Sequence, residues 1–148
     1  MFMGNYAHKL DPKNRVAVPA GWRSVYGQEL VMLASTHREY NILKYFTQEA
    51  FAAKLEEIRE RALNEGFDMG EVDEYIGDIA SHSFPVEVNM QGKLLIHKQH
   101  RDTLQLTETA QLVGREKHFE IWAPADFAAV NAPQQRRENP LNKKFRML

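Results

Sequence analysis

The octapeptide Asp11-Pro12-Lys13-Asn14-Arg15-Val16-Ala17-Val18 returns 78 positions later as Asn89-Met90-Gln91-Gly92-Lys93-Leu94-Leu95-Ile96. At the same offset Arg23 matches Arg101. More loosely, Leu30-Val31-Met32-Leu33 resembles Ala110-Gln111-Leu112-Val113, and Asn41-Ile42-Leu43-Lys44-Tyr45 resembles Phe119-Glu120-Ile121-Trp122. Ala50-Phe51-Ala52-Ala53 resembles Asp126-Phe127-Ala128-Ala129. Each half therefore reads strand, turn, strand, short helix, strand, strand, helix, a duplicated unit of roughly 50 residues with an insert between the copies.

Local chemistry agrees with that order. Asp11-Pro12-Lys13-Asn14 is turn chemistry, in which Pro presets φ and Asn tolerates the left-handed region. Gly92 takes the position of Asn14 and implies positive φ there. Arg15 to Val18 and Lys93 to Ile96 read as short strands. Pro19 stops the first, and a short helix from Ala20 to Tyr26 is predicted to end at Gly27. Thr47 is placed to cap a helix from Gln48 to Glu65, with Gly66 as its stop, and Phe51, Leu55, Ile58 and Ala62 on one face. Glu71 to Ser81 reads as a second helix, with Val72, Tyr75, Ile76 and Ile79 on one face. Pro124 opens a last short helix that Pro133 ends, and Gln134 to Leu148 reads as a mobile basic tail. The expected segments are thus 1–47, a first half; 48–83, an inserted helical pair; 84–133, a second half; and 134–148, the tail. Each half is too small for a core of its own. The two are expected to pair strands in one mainly β, pseudo-twofold β-barrel with peripheral helices.

Composition narrows the functional classes. The 148 residues carry a formal charge of −1, with 43% hydrophobic and 26% charged residues, a soluble globular composition. There is no cysteine, which excludes disulfides, a Cys nucleophile and thiolate metal sites and accords with a reducing cytoplasm. No apolar run reaches the ~18–20 residues of a membrane span, and Met1 to His8 lacks the pattern of a signal peptide. The charge is segregated: +3 over residues 1–47, −7 over 48–79, −1 over 80–133 and +4 over 134–148. Near-neutrality speaks against a nucleic-acid-binding monomer unless charge is segregated, as here, or multiplied by assembly.

With these motifs in hand, the opening Met1-Phe2-Met3-Gly4 through Leu10-Asp11-Pro12-Lys13-Asn14-Arg15-Val16-Ala17-Val18-Pro19 to Trp22-Arg23 resembles the MraZ family. Its second turn motif is matched by Asn89 to Lys93, and its late signature by Leu112-Val113-Gly114 followed by Phe119-Glu120-Ile121-Trp122. The resemblance covers roughly residues 1–130. It implies two AbrB-like swapped-hairpin halves in one chain, without metal or cofactor. It also implies a ring-like homo-oligomer, commonly octameric. That ring would regulate transcription in the cytoplasm, at the nucleoid, by binding short direct repeats in promoter DNA of the division and cell-wall gene cluster, its own included. The chain departs from the family pattern at Met3, Asn14, Asn89, Lys93 and His97-Lys98. Lys93 in place of Arg holds a phosphate but lacks the planar fork that reads guanine.

From the residues, Arg15 opens a strand after a turn, where it can fork onto guanine or clamp phosphate. Lys13, two residues earlier, is expected on the same face, and Lys9 and Lys93 complete the DNA-binding set. Asp11 can instead pair with Arg15 inside the chain, and both roles can coexist. Asp11, Asn14, Gly92, Arg23 and Arg101 are expected to build the turns, with Arg23 and Arg101 bracing them through Asp11 or a Glu. The basic tail has two readings: phosphate contact, or contact with a neighbouring subunit's acidic helices. His97 and His100 have a helical metal spacing but no third ligand. No Walker loop, nucleophile elbow or Rossmann fingerprint occurs, so neither an enzyme nor a small-molecule substrate is expected. The alternative class is an AbrB-like antitoxin or protein-interaction module.

Overall fold

Each turn motif separates a strand that pairs in a large sheet from one that does not. The computed structural model describes residues 1–27 and 29–148. Strand β1 (Asn5–Lys9) precedes the first turn and β2 (Arg15–Ala17) follows it; β3 (Glu29–His37) and β4 (Tyr40–Phe46) complete the half. The second half supplies β5 (Ser83–Glu87), β6 (Lys93–Leu95), β7 (Thr109–Gly114) and β8 (Phe119–Trp122). Six strands form one antiparallel sheet in the order β1-β7-β8-β4-β3-β5, while β2 and β6 form a separate two-stranded ladder. The order reads the same from either end when each strand is exchanged for the one four places later. The register agrees: Val16 lies opposite Leu94, and Leu43 opposite Ile121, each pair separated by the same 78 positions.

The sheet does not close into the expected barrel. Its end strands, β1 and β5, pair only with β7 and β3. The strands that would have bridged them, β2 and β6, are three residues long and are spent on each other. Pro19 lacks the N–H to extend β2, and His97 turns the second copy into helix α3 (Lys98–Leu104).

One core serves both halves. Val16 and Leu94, facing partners in the ladder, are fully buried with Phe2, Trp22, Leu30, Leu112, Phe119 and Ile121. Trp22 explains a second difference. The predicted helix from Ala20 is only a 3-10 turn, Ala20–Trp22, because the indole is drawn into the core and its Nε1 donates to the Met3 carbonyl at 2.8 Å. Gly114 is required where the N-terminal segment crosses β7: a Cβ there would stand 2.6 Å from the Phe2 carbonyl oxygen.

The insert folds as two helices, α1 (Gln48–Asn64) and α2 (Met69–Ser81). Thr47 Oγ1 accepts from the Ala50 amide at 3.0 Å, and Gly66 ends α1 at φ +91°. Helix α2 starts two residues before Glu71 because the Asp68 carboxylate caps it, accepting from the Gly70 amide at 2.9 Å. Helix α4 (Pro124–Val130) follows β8. The tail, expected to be mobile, forms α5 (Pro133–Glu138) and α6 (Pro140–Phe145), each with Pro at its N-terminal end, where its fixed φ favours helix initiation. Among the described residues no helix is long and apolar enough to cross a membrane.

Candidate nucleic-acid interface

The two turns have the same hydrogen-bond pattern. In the first, Asp11 Oδ1 accepts from the Lys13 and Arg15 amides, each at 2.9 Å. In the second, Asn89 Oδ1 accepts from the Gln91 and Lys93 amides at 3.0 and 2.8 Å. The Asn14 amide donates to the Asp11 carbonyl at 3.0 Å, and Gly92 to Asn89 at 2.9 Å. Asn14 and Gly92 carry the left-handed conformation, φ +61° and +77°. The turns also interlock, since the Val18 amide reaches the Gly92 carbonyl and the Ile96 amide the Asn14 carbonyl, each at 2.9 Å.

The braces cross between copies. Arg101 Nη1 donates to the Asn14 side chain of the first turn, and its Nε and Nη2 donate to the Leu106 and Thr107 carbonyls at 3.2 and 2.7 Å. Arg23 lies against Gly92 of the second turn so closely that a Cβ there would collide with its guanidinium. Neither arginine bonds Asp11 or a Glu among the described residues, contrary to the expected bracing. Arg101 finds an acceptor in the opposite half at Asn14, whereas Arg23 donates to the Val18 carbonyl of its own half at 3.5 Å and meets the opposite half only by packing on Gly92.

Strand alternation sends Val16 and Leu94 inward and Arg15, Ala17, Lys93 and Leu95 to the outer face of the ladder. Arg15 is half-buried, and its Nε donates to Asp11 Oδ2 at 2.8 Å. Its two terminal nitrogens have no partner among the described residues. Lys93 Nζ approaches the same carboxylate oxygen at 3.8 Å, so one carboxylate orients cations from both copies. The backbone N–H of Arg15, together with its side chain and the Lys13 amide, outweighs desolvation and holds the Asp11 carboxyl below the usual carboxylate range. Lys13 does not share a pleat with Arg15 as the spacing predicts. It sits inside the turn, where Asn14 at positive φ breaks the alternation, and is exposed. Lys9 is exposed at the end of β1, also without an ion partner among the described residues. The outer face of the ladder therefore carries Arg15 and Lys93 over one shared carboxylate, with Lys13 exposed in the adjoining turn and Lys9 exposed at the end of β1.

Sequence reasoning missed Ala17 and Leu95 as members of this face, although alternation from Val16 and Leu94 contains the signal. It also missed the part played by Glu120. This carboxylate is buried in β8 yet bonded by Arg115 Nε and Trp122 Nε1 on one oxygen and His118 Nε2 on the other, each at 2.9 Å. Burial alone would raise its pKa; the donors from His118, Trp122 and Arg115 overcome that and hold it at about 2. Glu120 thereby fixes the β7–β8 hairpin. His97 and His100 lie at the start of α3, and no cluster of three potential metal ligands occurs among the described residues.

Fold and site together describe an antiparallel α+β protein that presents a cationic two-stranded ribbon. The family model described as "MraZ protein, putative antitoxin-like" matches residues 79–147. A protein of Desulfitobacterium hafniense named Transcriptional regulator MraZ is 32% identical over 128 residues, covering 86% of this chain and 85% of that protein. A namesake in Gluconacetobacter diazotrophicus is 26% identical over 149 residues, covering 95% and 90%. Another in Mycoplasmoides gallisepticum is 24% identical over 143 residues, covering 97% and 92%. The chain belongs to the MraZ family.

Proposed function

We propose that this protein is a sequence-specific DNA-binding regulator of transcription whose reading surface is the outer face of the β2–β6 ladder. The observation that carries this is the state of Arg15. Its Nε is tied to Asp11, and its two terminal nitrogens, without a partner among the described residues, can fork onto the N7 and O6 of guanine. A two-stranded ribbon fits the major groove of B-form DNA. Lys13 and Lys9 flank it as phosphate contacts, and Lys93 adds a point charge from the second copy. The relatives' shared name supports the same reading.

In this reading the two halves, 1–47 and 84–133, are AbrB-like copies that complete each other, and the insert and tail lie outside them. One subunit neutralises too few phosphates for tight binding at physiological salt. A ring-like homo-oligomer, the octamer included, presents the same ribbon to successive direct repeats, and effective concentration multiplies the contacts. The promoter of the protein's own gene, within the division and cell-wall cluster, is the first place to look. Footprinting on that DNA with the purified protein is expected to protect short repeats at regular spacing. Uniform protection, or none, removes the reading. The family description also mentions an antitoxin-like character; a stable complex with a toxin protein occupying this same ribbon is the result that would replace DNA as the partner.

A further inference from the structure

Two surfaces away from the ribbon complement each other in both charge and apolarity. The first is the α1–α2 pair. Residues 48–79 hold ten carboxylates and three cations. All three cations are engaged inside the pair: Arg59 with Asp73 at 2.5 Å, Arg61 and Lys54 with Glu57 at 3.8 and 3.5 Å. The apolar spacing of Phe51, Leu55, Ile58 and Ala62 predicts a covered face, yet none of the seventeen residues of α1 is fully buried. A groove of about 330 Å³ runs between the helices, lined by Ile58, Ala62, Phe67, Glu71, Val72 and Tyr75. Phe67 and Tyr75 are 56% and 57% exposed.

The second surface is the tail. Leu141 and Phe145 stand one turn apart on α6. The Asn142 side chain bonds both the amide and the carbonyl of Leu148 at 2.8 Å, folding the end of the chain back so that Met147 and Leu148 join them. All four apolar side chains are exposed. Arg136 lines the hollow of this knob, Lys144 stands over the Phe145 ring, and Arg137, Lys143 and Arg146 adjoin them in sequence. Phosphate contact alone has no use for four exposed hydrophobic groups, whereas a protein interface does.

A subunit's own tail does not fill its own groove: Phe67 and Tyr75 of the groove and Leu141 and Phe145 of the knob are all exposed. Helix α5 is tied to the β3–β4 turn by Arg38 donating to Gln135 at 2.8 Å. We propose that the tail knob of one copy docks in the α1–α2 groove of a second copy, apolar core into apolar groove and basic rim onto acidic rim. Such a contact is head-to-tail, the kind that closes into a ring when its rotation allows. It rests on the self-association in the proposed function and names the contact that makes it.

Sedimentation velocity of the full-length protein over a range of concentrations tests this. Leu141→Asp with Phe145→Asp is expected to weaken self-association by about tenfold or more, the loss typical of central apolar anchors, with an unchanged circular dichroism spectrum. Lys143→Glu with Lys144→Glu, and separately Glu65→Lys with Glu71→Lys, are each expected to weaken it. Combining the two reversals in one chain is expected to restore it. If the wild type assembles and none of these variants changes it, the contact lies elsewhere and the inference falls while the DNA reading stands. A monomeric wild type overturns the inference and the ring together. Tail variants that assemble normally but lose DNA affinity at low salt assign the tail to phosphate and overturn the inference as well.

Discussion

The turn at Asp11 to Arg15 and the turn at Asn89 to Lys93 have one backbone and two chemistries. Both are capped by a side-chain oxygen that accepts two amides, and both place one left-handed residue before a three-residue strand. The first cap is a carboxylate and also holds the Arg15 side chain. The second is an amide, neutral, and has nothing with which to hold Lys93, which leans across to the carboxylate of the first turn instead. Geometry and ligand chemistry are thus separable here. The cap needs only an acceptor, which Asp and Asn both supply, whereas orienting a cation needs charge. A scaffold whose strand order reads the same from either end carries a cationic surface that differs between its halves.

This asymmetry is open to direct attack. The largest effect is expected from Arg15→Ala, which should cost about 1–3 kcal/mol per engaged subunit and compound across repeats, with the oligomer intact. Lys93→Ala should cost clearly less in the same gel-shift titration. Equal losses would mean that both copies read DNA alike. Next, Gly92→Ala is expected to destabilise the fold by about 2–3 kcal/mol, from positive φ and the displaced Arg23 guanidinium. Asn14→Ala should cost less in thermal melts, since that turn already accommodates a Cβ.

A third contrast lies at the strands that pair at the centre of the sheet, where Glu120 in the second half replaces Ile42 in the first. Glu120→Gln is expected to destabilise by about 1–3 kcal/mol at neutral pH, because Trp122, Arg115 and His118 lose the carboxylate they share. The folded pKa of about 2 lies below the ordinary 4.5. The ionised form's contribution is therefore complete above 4.5 and fades as pH falls towards 2, and the gap between wild type and variant should narrow in that window. A gap independent of pH would assign the loss to packing. The smallest effect is Lys13→Ala, which should weaken binding about equally on all sequences and lower the salt slope by about one. An unchanged slope takes Lys13 off the phosphates.

Much of the strand order was legible because the repeat puts equivalent residues at a constant offset, and turn chemistry at Asn14 and Gly92 marked where each ladder strand begins. Closure was not legible. Whether β2 and β6 bridge the sheet ends depends on strand length and on what Pro19 and His97 start next. The α2 start was missed for want of reading Asp68 as a cap. The helical tail was missed because a polar, basic composition hides Pro133 and Pro140 at their initiating positions. Around the two turns, the turn-forming residues were legible and the partners of the side chains beside them were not. Arg23 and Arg101 act on turns in the opposite half, and Lys13 leaves the pleat at a single left-handed residue.

Sequence alone determined the doubled turn, its side-chain caps and the cations beside it, because capping, positive φ and strand alternation act over a few neighbouring residues. Only the tertiary structure decided that the two ladder strands pair with each other. It also decided that Asp11 serves cations from both copies, and that an apolar groove in the acidic insert and an apolar knob on the basic tail are both left exposed. Those relations join residues dozens of positions apart, and they are set by burying one core that neither half could fill.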